Sequence, residues 1–333
     1  MSFGLYYDFR CTEAEPAALT RRWAGILDQV AFAEEIGFGS VWISEHHFTD
    51  DGYASSPLTL LGALSARTTT MWLGTNVMVL PVHHPLRLAE EALTVDALSG
   101  GRLRLGVGMG YREEDLRPFG TTLGQRRTRF EAALDVLVPA LRGEAVDGVR
   151  VSPAPVRAGG PPLWLGALSP PAVERAAARA DGLLSVLPDQ TAAYVEARRR
   201  LGQDDGQVAV GTQWIVADDP ERAWAALAPS LLYQANAYVA FGMFGAGATP
   251  FTEAGQLVEL GLYRLMDGAE AVAELRRIIA AGPVVDCFSW SLYPGESLEA
   301  AADRLEYFAT RVIPAVAATP DPSGDAATRR PRS

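Results

Sequence analysis

The four histidines of this 333-residue chain fall in two adjacent pairs, His46-His47 and His83-His84. The first pair sits inside Glu45-His46-His47-Phe48, directly after the apolar run Ser40–Ser44. Histidine carries protons near neutrality, with an unperturbed pKa of about 6.5, so a Glu-His-His cluster at a strand end suits general acid–base work. The plainer reading is a set of hydrogen-bonded loop histidines. A metal site is disfavoured, because neither His-x-x-x-His nor Cys-x-x-Cys spacing occurs. Adjacent residues at a strand end point to opposite sides, so each pair is expected to offer one ring to a pocket.

Three further segments invite a ligand. Gly106-Val107-Gly108-Met109-Gly110-Tyr111 would let backbone approach a bound group closely, although as a dinucleotide fingerprint it has the wrong spacing. Ser169, in Ala167-Leu168-Ser169-Pro170-Pro171, stands where a helix cap belongs, and a helix start is a natural anion site. Arg126, Arg127 and Arg129 open a helix, where cations do not help the dipole. At least one is expected to hold something else, such as a phosphate; solvated surface arginines are the equal alternative. The run Glu113-Glu114-Asp115 reads as a solvated, dipole-favoured helix start.

These segments must be held by regular elements, and the chain alternates short apolar runs with amphipathic stretches. Strands are expected at Phe3–Tyr7, Ser40–Ser44, Leu73–Leu80, Arg102–Val107, Leu163–Gly166, Leu183–Leu187, Val208–Val216 and Val284–Ser291. Between them come helical patterns, several opened by proline, such as Pro57 and Pro85. Residues 220–282 are too long for one crossover and read as a mostly helical insertion before the last strand. Eight strands alternating with helices predict a (β/α)8 barrel, which places chemistry in the loops after the strands; an open doubly wound sheet is the alternative. Residues 1–319 are expected to form one domain, and 320–333 a disordered tail.

Composition narrows the function. The net charge of −11 disfavours nucleic acid as a partner. All 29 basic residues are arginine. The absence of lysine excludes a Walker-type phosphate loop and Schiff-base chemistry, so any phosphate must rest on arginine, hydroxyls and backbone N–H groups. Two distant cysteines, Cys11 and Cys287, imply no disulfide framework. With neither a leader pattern nor a membrane-length apolar run, a cytoplasmic protein is expected.

Several runs together resemble the bacterial luciferase-like monooxygenase family: Val41–Thr49, Gly74-Thr75, Val79-Leu80-Pro81, His84–Glu90, Ser99–Gly106 and Phe119-Gly120-Thr121. The segments Pro162–Gly182 and Val284–Pro294 extend the likeness to nearly the whole chain, and it is weakest from about 220 to 280. The resemblance implies a homodimeric barrel that binds FMN as a dissociable substrate, reduced by a separate reductase. Dioxygen would be the co-substrate, reacting through a flavin hydroperoxide with His46 as acid/base. It further implies a cis peptide at Asn76-Val77 beneath the flavin ring, a phosphate held by Arg127 and Ser169, and Tyr111 beside the ring. Glu45, Gly108, Met109, Gly110, Ala167 and Leu168 fall on the surrounding cofactor-binding positions.

This chain has Gly108 where the family places a reactive cysteine, Met109 where it places an arginine, and Leu168 for a glutamate. The expected substrate is therefore an organic secondary metabolite, hydroxylated or oxygenated beside a carbonyl, rather than a long-chain aldehyde. Its pocket is expected to be lined by the loops after the first, seventh and eighth strands, including parts of Asp8–Pro16 and residues 220–280. Two alternatives stand: a deazaflavin-dependent reductase or dehydrogenase of the same family, and a flavin-binding protein without turnover.

Overall fold

The computed structural model describes residues 1–318 apart from Ala14, Pro188 and Ala246, so the tail expected at 320–333 lies outside the described residues. Eight parallel strands form the barrel: Ser2–Tyr7, Ser40–Ile43, Trp72–Thr75, Leu103–Gly108, Leu163–Gly166, Gly182–Ser185, Gln207–Thr212 and Val284–Trp290. The first strand pairs with the second (Gly4↔Ser40) and with the last (Ser2↔Asp286), and the ring continues through the seventh, sixth, fifth and fourth strands. It closes where the third strand pairs with the fourth, at Leu73↔Leu103 and Gly74↔Arg104. That closure decides for the barrel over an open sheet.

The strands read as continuous apolar runs because both of their faces are covered; every residue of Ser40–Ile43 and Leu103–Gly108 is buried. Helices return the chain between them, and Pro16, Pro57, Pro85, Pro170 and Pro220 each open one, where the missing N–H costs nothing. Inside the ring Trp42 and Trp164 meet edge to face at 5.9 Å. Glycines make room for them: a Cβ on Gly74 would lie 2.2 Å from the Trp42 ring, and one on Gly182 2.4 Å from the Trp164 ring. Beneath, the buried Asp286 accepts from Trp42 Nε1 at 3.0 Å and from Arg104 at 3.2 Å.

Two expected strands are broken. Leu73–Leu80 is interrupted after Thr75 by a cis Asn76-Val77 peptide, and then gives a short strand, Met78–Val79, and a tight turn, Leu80–Val82. Val208–Val216 splits at Gln213, and Trp214–Val216 leaves the barrel to pair in parallel with Arg264–Met266. The insertion is thus not helical throughout. It runs helix Pro220–Ala240, short helix Gly255–Glu259, strand Arg264–Met266, helix Gly268–Ala280. No described helix is long and apolar enough to cross a membrane.

Candidate active site

The second strand delivers its last residues to the C-terminal rim of the barrel, and there Ser44, Glu45, His46 and His47 are all buried. Phe48, at φ 55°, turns the chain away. The His46 ring is held at both nitrogens. Nδ1 lies 2.5 Å from Asp115 Oδ2, and Nε2 lies 3.2 Å from the Tyr111 hydroxyl. Asp115 also accepts the His47 backbone N–H at 3.0 Å and Arg112 Nη1 at 2.7 Å. Burial pushes the Asp115 carboxyl up, but the bonds from His46, His47 and Arg112 outweigh it and leave the pKa lowered. Asp115 is therefore the carboxylate, and Nδ1 of His46 carries the proton that faces it. Burial keeps the Tyr111 phenol protonated, so its hydroxyl donates to the Nε2 lone pair. The result is a carboxylate–imidazole–phenol chain in which Nε2 is the basic end.

Asp115 corrects the reading of Glu113-Glu114-Asp115 as a solvated helix start. The segment Glu113–Leu116 is helical, but Asp115 is 1% exposed and points inward. Sequence spacing offered no signal for it, since it lies 69 positions from His46.

The second histidine pair does not offer a ring to the pocket as expected. His83 Nε2 and His47 Nε2 both donate to Glu45 Oε1, at 2.7 and 2.9 Å, and the Val79 backbone N–H donates to Glu45 Oε2. His84 occupies the cap position of the following helix without a capping bond from its side chain, and is exposed. Glu45 thus ties the ends of the second and third strands together. Burial raises its pKa, yet these bonds lower it to about 2. Among the described residues, no group of three or more His, Cys, Asp or Glu could hold a metal ion.

Asn76 and Val77 stand at the mouth of the barrel. The Asn76 N–H donates to the Ile43 carbonyl at 2.8 Å, and the Asn76 carbonyl accepts from the Tyr6 hydroxyl at 3.5 Å. Val77 is flanked by glycines: a Cβ on Gly108 would lie 2.6 Å from Val77, and one on Gly166 2.9 Å away. Gly108 is thus required for this close approach whether or not a ligand binds. Gly110, at φ 69°, turns the chain from half-buried Met109 into Tyr111.

The three arginines divide their work. Arg126 donates to the Gly110 carbonyl at 2.9 Å, and Arg129 to Thr121 Oγ1 at 2.7 Å, so both pin the loop. Arg127 is exposed and makes no hydrogen bond or ion pair among the described residues. Its neighbour is fixed by packing. Arg175 pairs with Glu131, and Arg179 with Asp135, which sets the helices Arg126–Leu141 and Pro170–Arg179 side by side in parallel. Extending that register back by four residues on each helix pairs position 127 with position 171, two residues after Ser169.

Ser169 occupies the cap position, but its side chain makes no capping bond and no other hydrogen bond among the described residues. The helix start is a poorer anion site than expected. Pro170 and Pro171 have no N–H, and the Ala172 and Val173 N–H groups are both spent on the Ser169 carbonyl. Leu168 is exposed, while Ala167 is buried and its carbonyl accepts from Gln190.

The wall facing His46 comes largely from the segments expected to line the substrate pocket, Asp8–Pro16 and residues 220–280, although the sequence singles out no residue in them. Tyr53 and Phe241 pack on its ring at 4.8 and 4.9 Å, with Tyr238 at 6.4 Å. Arg10, from the loop after the first strand, lies over all three of these rings. Tyr238 and Phe241 come from the inserted region, where no pattern in the sequence points inward.

A family model described as luciferase-like monooxygenase matches residues 1–261. An uncharacterised Sinorhizobium fredii protein, y4vJ, is 31% identical over 159 residues, which cover 45% of each chain. An alkanal monooxygenase alpha chain from Photorhabdus luminescens is 32% identical over 165 residues, 47% of this chain and 45% of that one. The matched stretch thus spans less than half the length of these curated relatives. The crystal structure of monooxygenase RslO1 from Streptomyces bottropensis superimposes with a TM-score of 0.79 at 20% identity, covering 94% of this chain and 99% of that one. With more than half its length inside the family model, and a barrel closed as that fold requires, this chain belongs to the luciferase-like monooxygenase family.

Proposed function

We propose that the chain is an FMN-dependent monooxygenase that takes reduced FMN from a separate reductase and oxygenates a small organic substrate, with His46 as the acid/base. The observation that carries this reading is the buried Asp115–His46–Tyr111 chain at the barrel rim. A protein that merely stored flavin would have no use for an imidazole oriented by a carboxylate.

The residues present fit FMN. Ser169 makes no capping bond and Arg127 no hydrogen bond or ion pair among the described residues, and both stand at helix starts, suited to a phosphate. Val77, Gly108, Met109 and Gly110 form the shelf at the mouth, where the ring would rest near Tyr111, with Glu45 fixing that shelf through Val79. Ala167 and Leu168 lie on the way to the phosphate. Once bound, reduced FMN supplies the electrons that activate dioxygen.

The protein's own part is to hold and move a proton at His46 Nε2. Asp115 fixes the tautomer, so that Nε2 presents a lone pair, and stabilises the imidazolium when that lone pair takes a proton. Arg112 and the His47 N–H keep Asp115 charged while it does so. Tyr53, Tyr238 and Phe241 cover the opposite side of the ring and exclude bulk water.

Anaerobic titration with reduced FMN and with the reduced deazaflavin coenzyme tests the cofactor assignment. Tighter binding of FMN is expected; tighter binding of deazaflavin would make hydride transfer, not oxygenation, the chemistry of His46. The His46→Ala variant is expected to hold FMN within about twofold and to lose oxygenated product at least ~10-fold. Unchanged product would remove His46 from the reaction.

A further inference from the structure

Arg10 follows the first strand and is 1% exposed, yet none of its three side-chain nitrogens makes a hydrogen bond among the described residues. A guanidinium sealed from water without acceptors is costly, and such groups are rare unless something else satisfies them. Its position is built. The Arg10 carbonyl accepts from Arg22 Nε at 2.6 Å, the Arg10 N–H donates to Asp8 Oδ1 at 3.1 Å, and the Cys11 N–H donates to the Asp51 carbonyl at 2.7 Å. Phe9, just before it, is held at φ 61°, a region that non-glycine residues seldom occupy and that concentrates at functional sites.

The guanidinium lies over Tyr53, Tyr238 and Phe241, at 4.7, 5.1 and 5.5 Å from their centres. These are the rings that surround His46. A second orphan donor is close by: the indole N–H of Trp290 has no partner among the described residues, and its ring packs on Tyr238 and Tyr6.

Charge selects the ligand. Asp8 and Asp51 approach Arg10 Nε at 3.5 and 3.4 Å, close enough to balance its charge but without hydrogen-bond geometry. Their other commitments are to Gln234 and Tyr233. An incoming anion would be repelled by the two carboxylates, whereas a neutral oxygen carries no charge for them to repel and can accept from the unused N–H groups.

We propose that Arg10 is the specificity-determining residue of this site: its guanidinium holds a neutral acceptor oxygen, a ring ketone or phenolic hydroxyl, of a cyclic substrate packed among Tyr53, Tyr238 and Phe241 beside His46. This rests on the reading of the His46 rim as the active site. Phe241 stands one residue beyond the helix Pro220–Ala240 and is followed by Gly242 at φ 80°, so this wall is set by the end of that helix.

Calorimetric titration of the full chain with 1-tetralone and with tetralin, the same bicycle without its carbonyl, tests the assignment. The ketone is expected to bind at least ~10-fold more tightly, the value of one hydrogen bond from a charged donor. Arg10→Met should abolish that preference while leaving FMN affinity intact, which also reports that the variant is folded. Arg10→Gln, which keeps an N–H donor, should retain part of it. Equal affinity for the two probes, no binding of either, or a preference that survives in Arg10→Met would overturn the proposal. Tighter binding of 1-naphthoate than of 1-tetralone would overturn the neutral-acceptor assignment. Failure of FMN to bind the wild-type chain would instead defeat the oxygenase reading, so the two failures are told apart.

Discussion

At the scale of single residues, the site rests on how His46 is held. Its Nδ1 contact with Asp115 fixes which nitrogen is basic, so Asp115→Asn should slow oxygenation at least ~10-fold, approaching the ~10²–10⁴ lost with the proton carrier itself. FMN affinity should stay unchanged, because Asp115 faces the imidazole and not the mouth. Parallel loss of FMN binding would assign Asp115 to the loop's architecture instead. Arg127→Ala should weaken FMN more than riboflavin, as measured by fluorescence titration; equal loss for both would mean that this arginine touches no phosphate. His46 was legible because Glu-His-His-Phe is a dense cluster of one chemistry at a strand end. Asp115 was not, since an acidic run at a helix start is what the helix dipole favours in any solvated segment. Arg10 lies in the Asp8–Pro16 loop expected to line the pocket, but a lone arginine after a strand carries no signal of its own until the loops fold over it.

At the scale of elements, the barrel could be read because a parallel strand covered on both faces must be apolar throughout, and prolines mark the helix starts. What escaped were places where three-dimensional pairing overrides local pattern. The Leu73–Leu80 run reads as one strand yet breaks at Asn76-Val77, and Arg264–Met266 is a strand only because Trp214–Val216 leaves the ring to meet it. Glycine positions test the packing directly. Gly74→Ala would drive a methyl group into the buried Trp42 ring, and should cost ~1–3 kcal/mol or more in urea unfolding. Gly62→Ala, inside the helix Pro57–Ser65 with nothing near its Cβ, should instead be neutral or stabilise by up to ~1 kcal/mol. A reversed order of midpoints would refute the close packing of the second and third strands.

At the scale of the whole molecule, closing the ring gathers one group each from loops far apart in sequence, and Glu45 links two of those loops. Its pKa is lowered to about 2 from the usual 4.5, so its share of stability is present above pH 4.5 and lost as pH falls towards 2. His83 works in the opposite sense. Burial lowers its pKa, but Glu45 raises it above 6.5 on balance, so that share is present below pH 6.5 and lost as pH rises through the folded value. Melting temperature against pH should therefore fall on both sides of a plateau, and Glu45→Gln should flatten both limbs; a variant that keeps the acid limb would place the loss elsewhere. The insertion was expected to line the substrate pocket, but the residues of that wall stayed unread because its length and packing follow no repeat of the barrel. The most direct test of the central claim is an oxygen pulse given to the chain loaded anaerobically with reduced FMN, with the return of oxidised-flavin absorbance followed in time. The wild type should show a lag that His46→Ala shortens at least ~10-fold at equal FMN affinity; prompt reoxidation at the free-flavin rate in both proteins would contradict the account.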